Sequence, residues 1–167
     1  MAHAAVRSMS AALDSLAAAL DGAHGPVTAS APRVSAWTIA QQIDHALKAN
    51  QAFFERIAGA KEPLPGGIRL MGRVVLSTGF IPRGVGKSPK AVLGEPLTDA
   101  QLREAYAACR KAFDEACTRE DLFVNRWPVA KHPYFGPLNA EQSMKFCAIH
   151  TRHHLALIRD IGRSAVS

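Results

Sequence analysis

The sequence has few cysteines, few aromatic residues and no hydrophobic run of transmembrane length. Its 167 residues include three cysteines, Cys109, Cys117 and Cys147, which are too few and too scattered for a disulfide framework and form no CxxC pair. We interpret them as buried, reduced thiols, which fits a cytoplasmic protein. Asp14 interrupts the alanine-rich N-terminal stretch, so we expect this stretch to be the first helix of a soluble protein rather than a signal peptide or a membrane span.

The sequence also lacks any cluster of basic residues, although its overall charge is positive. The formal net charge is +6 and the pI is about 9.6, which permits an anionic ligand or a nucleic acid as partner. The lysines and arginines are spread along the chain, and no nucleic-acid recognition motif is present. We therefore expect neither a nucleic acid nor a membrane as partner.

Apolar residues recur in steps of three and four along four segments, as expected for amphipathic helices. The first segment shows the pattern at Val6, Met9, Leu13, Leu16 and Leu20. The second follows Ser35, which is a plausible N-cap. Capping boxes begin the third and fourth, at Thr98 with Gln101 and at Asn139 with Gln142. No stretch shows the alternation of a strand. The sequence predicts an all-α antiparallel four-helix bundle, as one domain over residues 1–167.

A long Gly/Pro-rich connection joins the second and third predicted helices, from residue 60 to residue 97. Such long connections tend to be functional or disordered. Within it, "IRLMGRVVL" favours a short helix, and the basic residues include Arg69, Arg73, Arg83, Lys87 and Lys90. The segment is either a solvated loop or a lid over a site for an anionic ligand. In the second case, Arg83 and Lys87 are the candidate contacts.

Two of the three histidines in "HTRHH" share one face of the predicted last helix. At about 100° per residue, His150 and His154 lie on the apolar stripe with Cys147, Leu157 and Ile161. Four residues make about one turn, so both imidazoles can reach one metal ion. His153 lies at the edge of the stripe. Two histidines bind a metal loosely, and hydrogen-bonded core histidines remain the alternative.

His45, midway along the second predicted helix, is the candidate third ligand. It lies opposite the stripe of Ile43, Leu47 and Phe54, so the helix must be buried on two sides for His45 to meet the last helix. Three neutral imidazoles leave open coordination positions, as in catalytic metal sites. Zinc, nickel and ferrous iron all suit these ligands.

The segment "WTIAQQIDHALKANQAFF", followed by "HPYFGPLNAEQSMKFCAIHTRHHLALIRDI", resembles the DinB-like superfamily, and most closely a subgroup of unknown function. The resemblance covers most of the chain. It implies a four-helix bundle with a divalent metal held by His45, His150 and His154, and it implies a homodimer. Some members are metal-dependent transferases that activate a low-molecular-weight thiol such as bacillithiol, mycothiol or glutathione.

The function expected from this resemblance is that of a metal-dependent thiol S-transferase acting on a small molecule. A metal with an open coordination position lowers the pKa of a bound thiol, and His132 or His153 is a candidate proton shuttle. We expect Asp44 to lie on the surface, because neighbouring residues in a helix point about 100° apart. The alternatives are a metal-dependent hydrolase of a small substrate and a non-catalytic protein that binds a metal or a small ligand.

Overall fold

The computed structural model describes residues 3–84 and 88–165, and four long helices account for most of them. The long helices are α1 (Ala4–Leu20), α2 (Ile39–Ala58), α4 (Asp99–Cys117) and α6 (Ala140–Ala165). Two shorter helices, α3 (Leu70–Thr78) and α5 (Glu120–Asn125), and a 3-10 turn at Lys90–Val92 lie in the connections. The chain is therefore mainly helical, as expected, and the short helix expected in the long connection is present.

Local capping chemistry defines where three of the long helices begin. The Thr98 hydroxyl accepts from the Gln101 backbone N–H, and the Gln101 side chain accepts from the Thr98 N–H, which confirms the predicted capping box. Asn139 and Gln142 exchange the same pair of hydrogen bonds before α6. The expectation for α2 was wrong by three residues, because Thr38 rather than Ser35 is the N-cap.

The core is formed by the apolar stripes of the four long helices. Four residues of the stripe predicted for α1 are buried, and Leu13, Leu16 and Met9 are fully inaccessible to solvent, whereas Val6 is half-buried. α2 supplies Phe54 and contributes buried residues on nearly all of its faces, since it packs against both α4 and α6. The expectation that α2 is buried on two sides is confirmed.

Helices α2 and α4 run in the same direction, which corrects the expected antiparallel arrangement. The Gln41 amide, in the first turn of α2, donates to the carbonyl of Gly94, five residues before α4. Towards the other ends, the rings of Phe54 and Phe113 lie 5.3 Å apart. A helix of this length spans about 28 Å, so the chain has to travel back along α2 before α4 can begin. We call the returning residues 60–97 the crossover.

Helices α2 and α6 run in opposite directions. The Asn50 amide donates to the Thr151 hydroxyl at 2.8 Å, and the ring of Phe53 lies 5.3 Å from that of Phe146. Helices α1 and α4 are also antiparallel, as shown by the ion pairs Asp21–Arg103 and Asp14–Arg110. The antiparallel α2–α6 pair places the middle of α2 against the middle of α6.

A small two-stranded sheet precedes α6 and contradicts the expectation of an all-α chain without strands. Strands β1 (Pro128–His132) and β2 (Gly136–Asn139) pair in antiparallel fashion. The crossover packs on this hairpin, because the Leu64 N–H donates to the Pro128 carbonyl and the Arg69 N–H donates to the Phe135 carbonyl. A hairpin with this support does not need the alternating pattern of an independent sheet.

All three thiols are free, as predicted. Cys109 and Cys147 are buried, whereas Cys117 is only half-buried. Burial raises the pKa of Cys109 to about 12, so this thiol stays protonated at neutral pH. Within residues 3–84 and 88–165, no helix has both the length and the apolar character needed to cross a membrane.

Gly162 allows α6 to approach the turn that follows α1. A Cβ atom at this position would lie 1.9 Å from the His24 carbonyl oxygen, far closer than atoms can pack. We expect Gly162→Ala to lower the free energy of unfolding by about 1–3 kcal/mol, the usual cost of overpacking. The measurement is urea unfolding followed by far-UV circular dichroism.

Gly67→Ala is the matched control for Gly162→Ala. A Cβ at Gly67 meets no atom within 4 Å, so the control variant should retain the stability of the parent. Equal stabilities for the two variants would contradict a close contact between α6 and the turn at His24.

Candidate metal centre

His45, His150 and His154 form a compact cluster between α2 and α6. The Nε2 atoms of His45 and His150 lie 3.2 Å apart, and those of His154 and His150 lie 3.1 Å apart. One nitrogen from each ring lies within 4.8 Å of the other two. His45 and His154 are buried, and His150 is half-buried, so solvent reaches the cluster at His150. The three histidines expected to come together therefore do so.

Hydrogen bonds at the outer nitrogens fix the tautomers of two of these rings. The Nδ1 of His45 lies 2.5 Å from the Val92 carbonyl oxygen, which can only accept, so this Nδ1 carries the proton. The Nδ1 of His154 lies 2.6 Å from Oε1 of Gln42 and donates in the same way. Both Nε2 atoms consequently present lone pairs toward His150.

Burial keeps the three imidazoles neutral. Desolvation lowers the pKa of His150 and of His154 well below the ordinary value, and His45 and His153 lower the pKa of both further. Desolvation also lowers the pKa of His45, although the hydrogen bond to Val92 opposes this effect. A metal ligand must be the unprotonated imidazole, which is the form that this environment favours.

The cluster fits a divalent metal ion. Zinc–nitrogen bonds of about 2.0–2.1 Å at tetrahedral angles separate the nitrogens by about 3.3 Å, close to the 3.1 and 3.2 Å found here. Without a cation, a proton on Nε2 of His150 can bridge one of these pairs of nitrogens, and a cation among the three nitrogens takes its place. His150 adds a buried Nδ1 with no hydrogen-bond partner among the described residues. The three histidines are thus positioned to bind a metal ion.

Comparison with protein families identifies the superfamily of this chain. The family model described as DinB superfamily matches residues 4–158. The chain belongs to the DinB superfamily. Searches of the curated proteins and of the solved structures give no significant match. Membership therefore rests on a match that spans α1, α2, α4 and most of α6, and that includes all three histidines of the cluster.

In this member of the DinB superfamily, Gln42 orients His154. The Gln42 Nε2 donates to the Ser35 hydroxyl at 2.9 Å, which leaves Oε1 to accept from His154. The Ser35 hydroxyl in turn accepts from the Trp37 backbone N–H. The sequence analysis did not identify Gln42 as a site residue, because its partner on α6 lies 112 positions away.

Replacing Gln42 by leucine should weaken metal binding while preserving the fold. Leucine has a similar size but cannot accept the His154 proton, so the ring loses its fixed tautomer and orientation. Loss of such an outer partner usually costs about 10- to 100-fold in metal affinity. Competition titration of Zn²⁺ against a chromophoric chelator measures the change.

Gln51→Leu, on the same helix, is the control for Gln42→Leu. Among the described residues, the Gln51 side chain bonds only to Glu55 within α2, so its replacement should leave the affinity within about twofold. Equal affinities for Gln42→Leu and the parent would show that the amide does not orient His154.

Aromatic rings pack against the cluster. The Phe146 ring stacks on His150 with centroids 5.4 Å apart, and Trp37 lies 5.1 Å from His45. His132 packs against Phe146 and Phe135. Its Nδ1 accepts from two backbone N–H groups in the hairpin turn, and burial lowers its pKa to about 4. His132 is therefore neutral near pH 7, with its proton on Nε2.

The other predicted site residues lie near the cluster or outside the described chain. His153 is half-buried, with its ring 5.1 Å from His154, and it bonds to the backbone of Ile81 in the crossover. Arg83 forms a 2.7 Å ion pair with Asp160 on α6. Lys87 lies outside the residues that the structure describes. The crossover thus passes beside the cluster, but contact of Arg83 or Lys87 with an anionic ligand remains a prediction.

Asp44 is buried, contrary to the expectation that it lies on the surface. Its side chain is fully inaccessible to solvent, and one carboxylate oxygen accepts from the Glu95 N–H and from Lys48. Helical geometry does turn Asp44 away from His45, but the crossover covers the face on which Asp44 lies. The sequence alone did not show that this face has a partner.

Proposed function

We propose that this protein is a metal-dependent enzyme of the thiol S-transferase type, with its metal held by His45, His150 and His154. The observation that carries the proposal is the convergence of three Nε2 atoms, two of which have fixed lone pairs. Three protein ligands leave coordination positions for a further molecule, as catalytic sites require. Zinc, nickel and ferrous iron are the candidate ions.

The proposal assigns the protein's own groups to binding a small thiol and moving its proton. A bound divalent ion lowers the pKa of a thiol that coordinates it. Arg83 and Lys87 of the crossover are the proposed contacts for the thiol's carboxylates, and His153 is proposed to carry the proton away. His132, the other candidate, has no free nitrogen to accept it, because Nδ1 accepts from two backbone N–H groups and Nε2 holds the ring proton. The sulfur then bonds to an electrophilic carbon of the second substrate, and the leaving group departs with the electron pair.

The proposal includes the organisation of the molecule. The four long helices are proposed to form one four-helix bundle domain over residues 1–167, linked by the Gly/Pro-rich crossover. We propose a homodimer in the cytoplasm, with small molecules rather than nucleic acids or membranes as partners. The burial of apolar residues from all four long helices in one core supports the bundle.

Metal analysis followed by thiol-transfer assays tests this function. The purified protein is reconstituted separately with Zn²⁺, Ni²⁺ and Fe²⁺, and bound metal is counted by plasma mass spectrometry. Each form is then incubated with glutathione, mycothiol or bacillithiol and an aryl halide, and the thioether is quantified. We expect about one bound ion and conjugation that a chelator abolishes.

The alternatives give different results in the same assays. Metal-dependent cleavage of esters or amides without added thiol would identify a hydrolase. One bound ion with no turnover in either assay would identify a non-catalytic binding protein. Failure to bind any of the three ions would overturn the metal site and the enzyme proposal with it.

A further inference from the structure

Three polar residues on one face of α2 hold a short part of the crossover. Asp44 accepts from the Glu95 N–H at 2.7 Å, the Lys48 ammonium lies 3.4 Å from the Leu93 carbonyl oxygen, and the Gln41 amide donates to the Gly94 carbonyl at 3.3 Å. These side chains fix consecutive residues of the crossover at three points. We call Gln41, Asp44 and Lys48 the α2 clamp.

The backbone at Gly94 lies directly against α2. A Cβ atom there would come within 2.0 Å of the Gln41 carbonyl oxygen, so only glycine permits this approach. The close contact and the clamp act at the same place. They leave the crossover little freedom to shift along the helix.

Asp44 is the costly member of the clamp. Its carboxylate is fully buried, and only Oδ2 has partners, since Oδ1 has none among the described residues. A buried carboxylate with only one hydrogen-bonded oxygen destabilises a fold unless its contacts compensate for the lost hydration. One compensating contact is the ion pair with Lys48 at 2.8 Å. The other is the hydrogen bond from Glu95, which fixes the crossover.

The fixed part of the crossover continues directly into the group that orients His45. Val92 precedes Leu93, and its carbonyl accepts the Nδ1 proton of His45, the residue next to Asp44. A shift of residues 93–95 would move this carbonyl away from the ring. Within the described residues, Nδ1 of His45 forms no other hydrogen bond, so the tautomer of the ring depends on the position of Val92.

We propose that Asp44 is a positioning residue for the metal centre, acting through the crossover on His45. It holds the Glu95 N–H, this contact holds the Val92 carbonyl in place, and the carbonyl keeps the His45 proton on Nδ1. The Nε2 lone pair then faces His150. The role of Asp44 in metal binding rests on the proposed function. The contacts that link Asp44 to His45 do not depend on it.

The test compares Asp44→Ala with Asp44→Asn in the metal-free protein. The alanine variant cannot accept from Glu95, whereas the amide oxygen of asparagine can, without the charge. Nitrogen-15 chemical shifts of the imidazole rings report which nitrogen of His45 carries the proton. We expect Asp44→Ala to give a mixture of tautomers, and Asp44→Asn to retain the Nδ1–H form.

Metal affinity provides the second measurement on the same variants. We expect Zn²⁺ to bind about 10- to 100-fold more weakly to Asp44→Ala, as for other outer partners of metal ligands, and within about threefold of the parent to Asp44→Asn. Asp160→Asn is the control, because it removes a different contact of the crossover, the ion pair between Arg83 and Asp160 on α6. It should leave the His45 tautomer unchanged.

Defined outcomes would overturn the inference. An unchanged His45 tautomer in folded Asp44→Ala would do so, and so would an Asp44→Asn variant that behaves like Asp44→Ala, since the charge would then be the active feature. If Asp44→Ala does not fold, Gly94→Ala displaces the same backbone without altering Asp44, and an unchanged tautomer there is equally decisive. Because the tautomer is read without metal, a parent protein that binds no metal would refute the proposed function alone.

Discussion

Alanine at both His150 and His154 is expected to abolish stoichiometric binding of Zn²⁺, Ni²⁺ or Fe²⁺. The double variant removes two of the three nitrogens that converge within 4.8 Å and leaves a single imidazole on α2. The affinity should fall by more than the roughly 10- to 100-fold that follows loss of an outer partner. Plasma mass spectrometry after equilibrium dialysis should find about one ion in the parent and none in the variant.

His153→Ala is the control for the double variant. His153 lies on the same helix and beside His154, but it is not one of the three clustered ligands. The His153→Ala variant should bind one ion, and far-UV circular dichroism should show that both variants remain helical. A folded double variant that still binds one ion would place the metal elsewhere.

Phe54→Ala is expected to cause the largest loss of stability, about 3–5 kcal/mol in the free energy of unfolding. Phe54 is fully buried, and its ring packs edge-on against Phe113 across the α2–α4 contact. Alanine would leave a cavity between two long helices that cannot close without moving them. Urea unfolding in the presence of a chelator measures the loss without a contribution from bound metal.

Val124→Ala is the control for Phe54→Ala, because it also removes apolar atoms but from an exposed side chain. Val124 is 74% exposed, and surface substitutions usually change stability by less than about 0.5 kcal/mol. A loss below about 1 kcal/mol for Phe54→Ala would mean that α2 and α4 do not pack as described.

Helix positions could be predicted from the sequence because their signals are local. The capping boxes at Thr98 and Asn139 involve residues three positions apart, and both are present. The hairpin of β1 and β2 could not, because proline and glycine occupy its sequence and its supporting hydrogen bonds come from Leu64 and Arg69 in the crossover. Periodicity identifies the buried face of a helix, but not the direction of its neighbours.

The candidate site shows the same division between local and distant signals. The spacing of His150 and His154 is a property of one helix, and it correctly indicated a shared face. His45 was proposed as their partner from its position on the second helix, but its burial was inferred only by assuming a second packing surface. The resemblance implied the same three residues. The Val92 carbonyl and the role of Asp44 could not be inferred, since a backbone group in an irregular segment leaves no pattern in the sequence.

The contact between His45 and His150 also bears on how the molecule opens. The two residues are 105 positions apart in the chain, and their Nε2 atoms lie 3.2 Å apart. An ion bound to both would act as a removable cross-link between distant parts of the chain. At a free concentration 100 times its dissociation constant, a ligand of the folded state adds about 2.7 kcal/mol to stability. Amide hydrogens of α2 and α6 that exchange only on global opening should then exchange about 100-fold more slowly, while those that exchange by local fraying keep their rates.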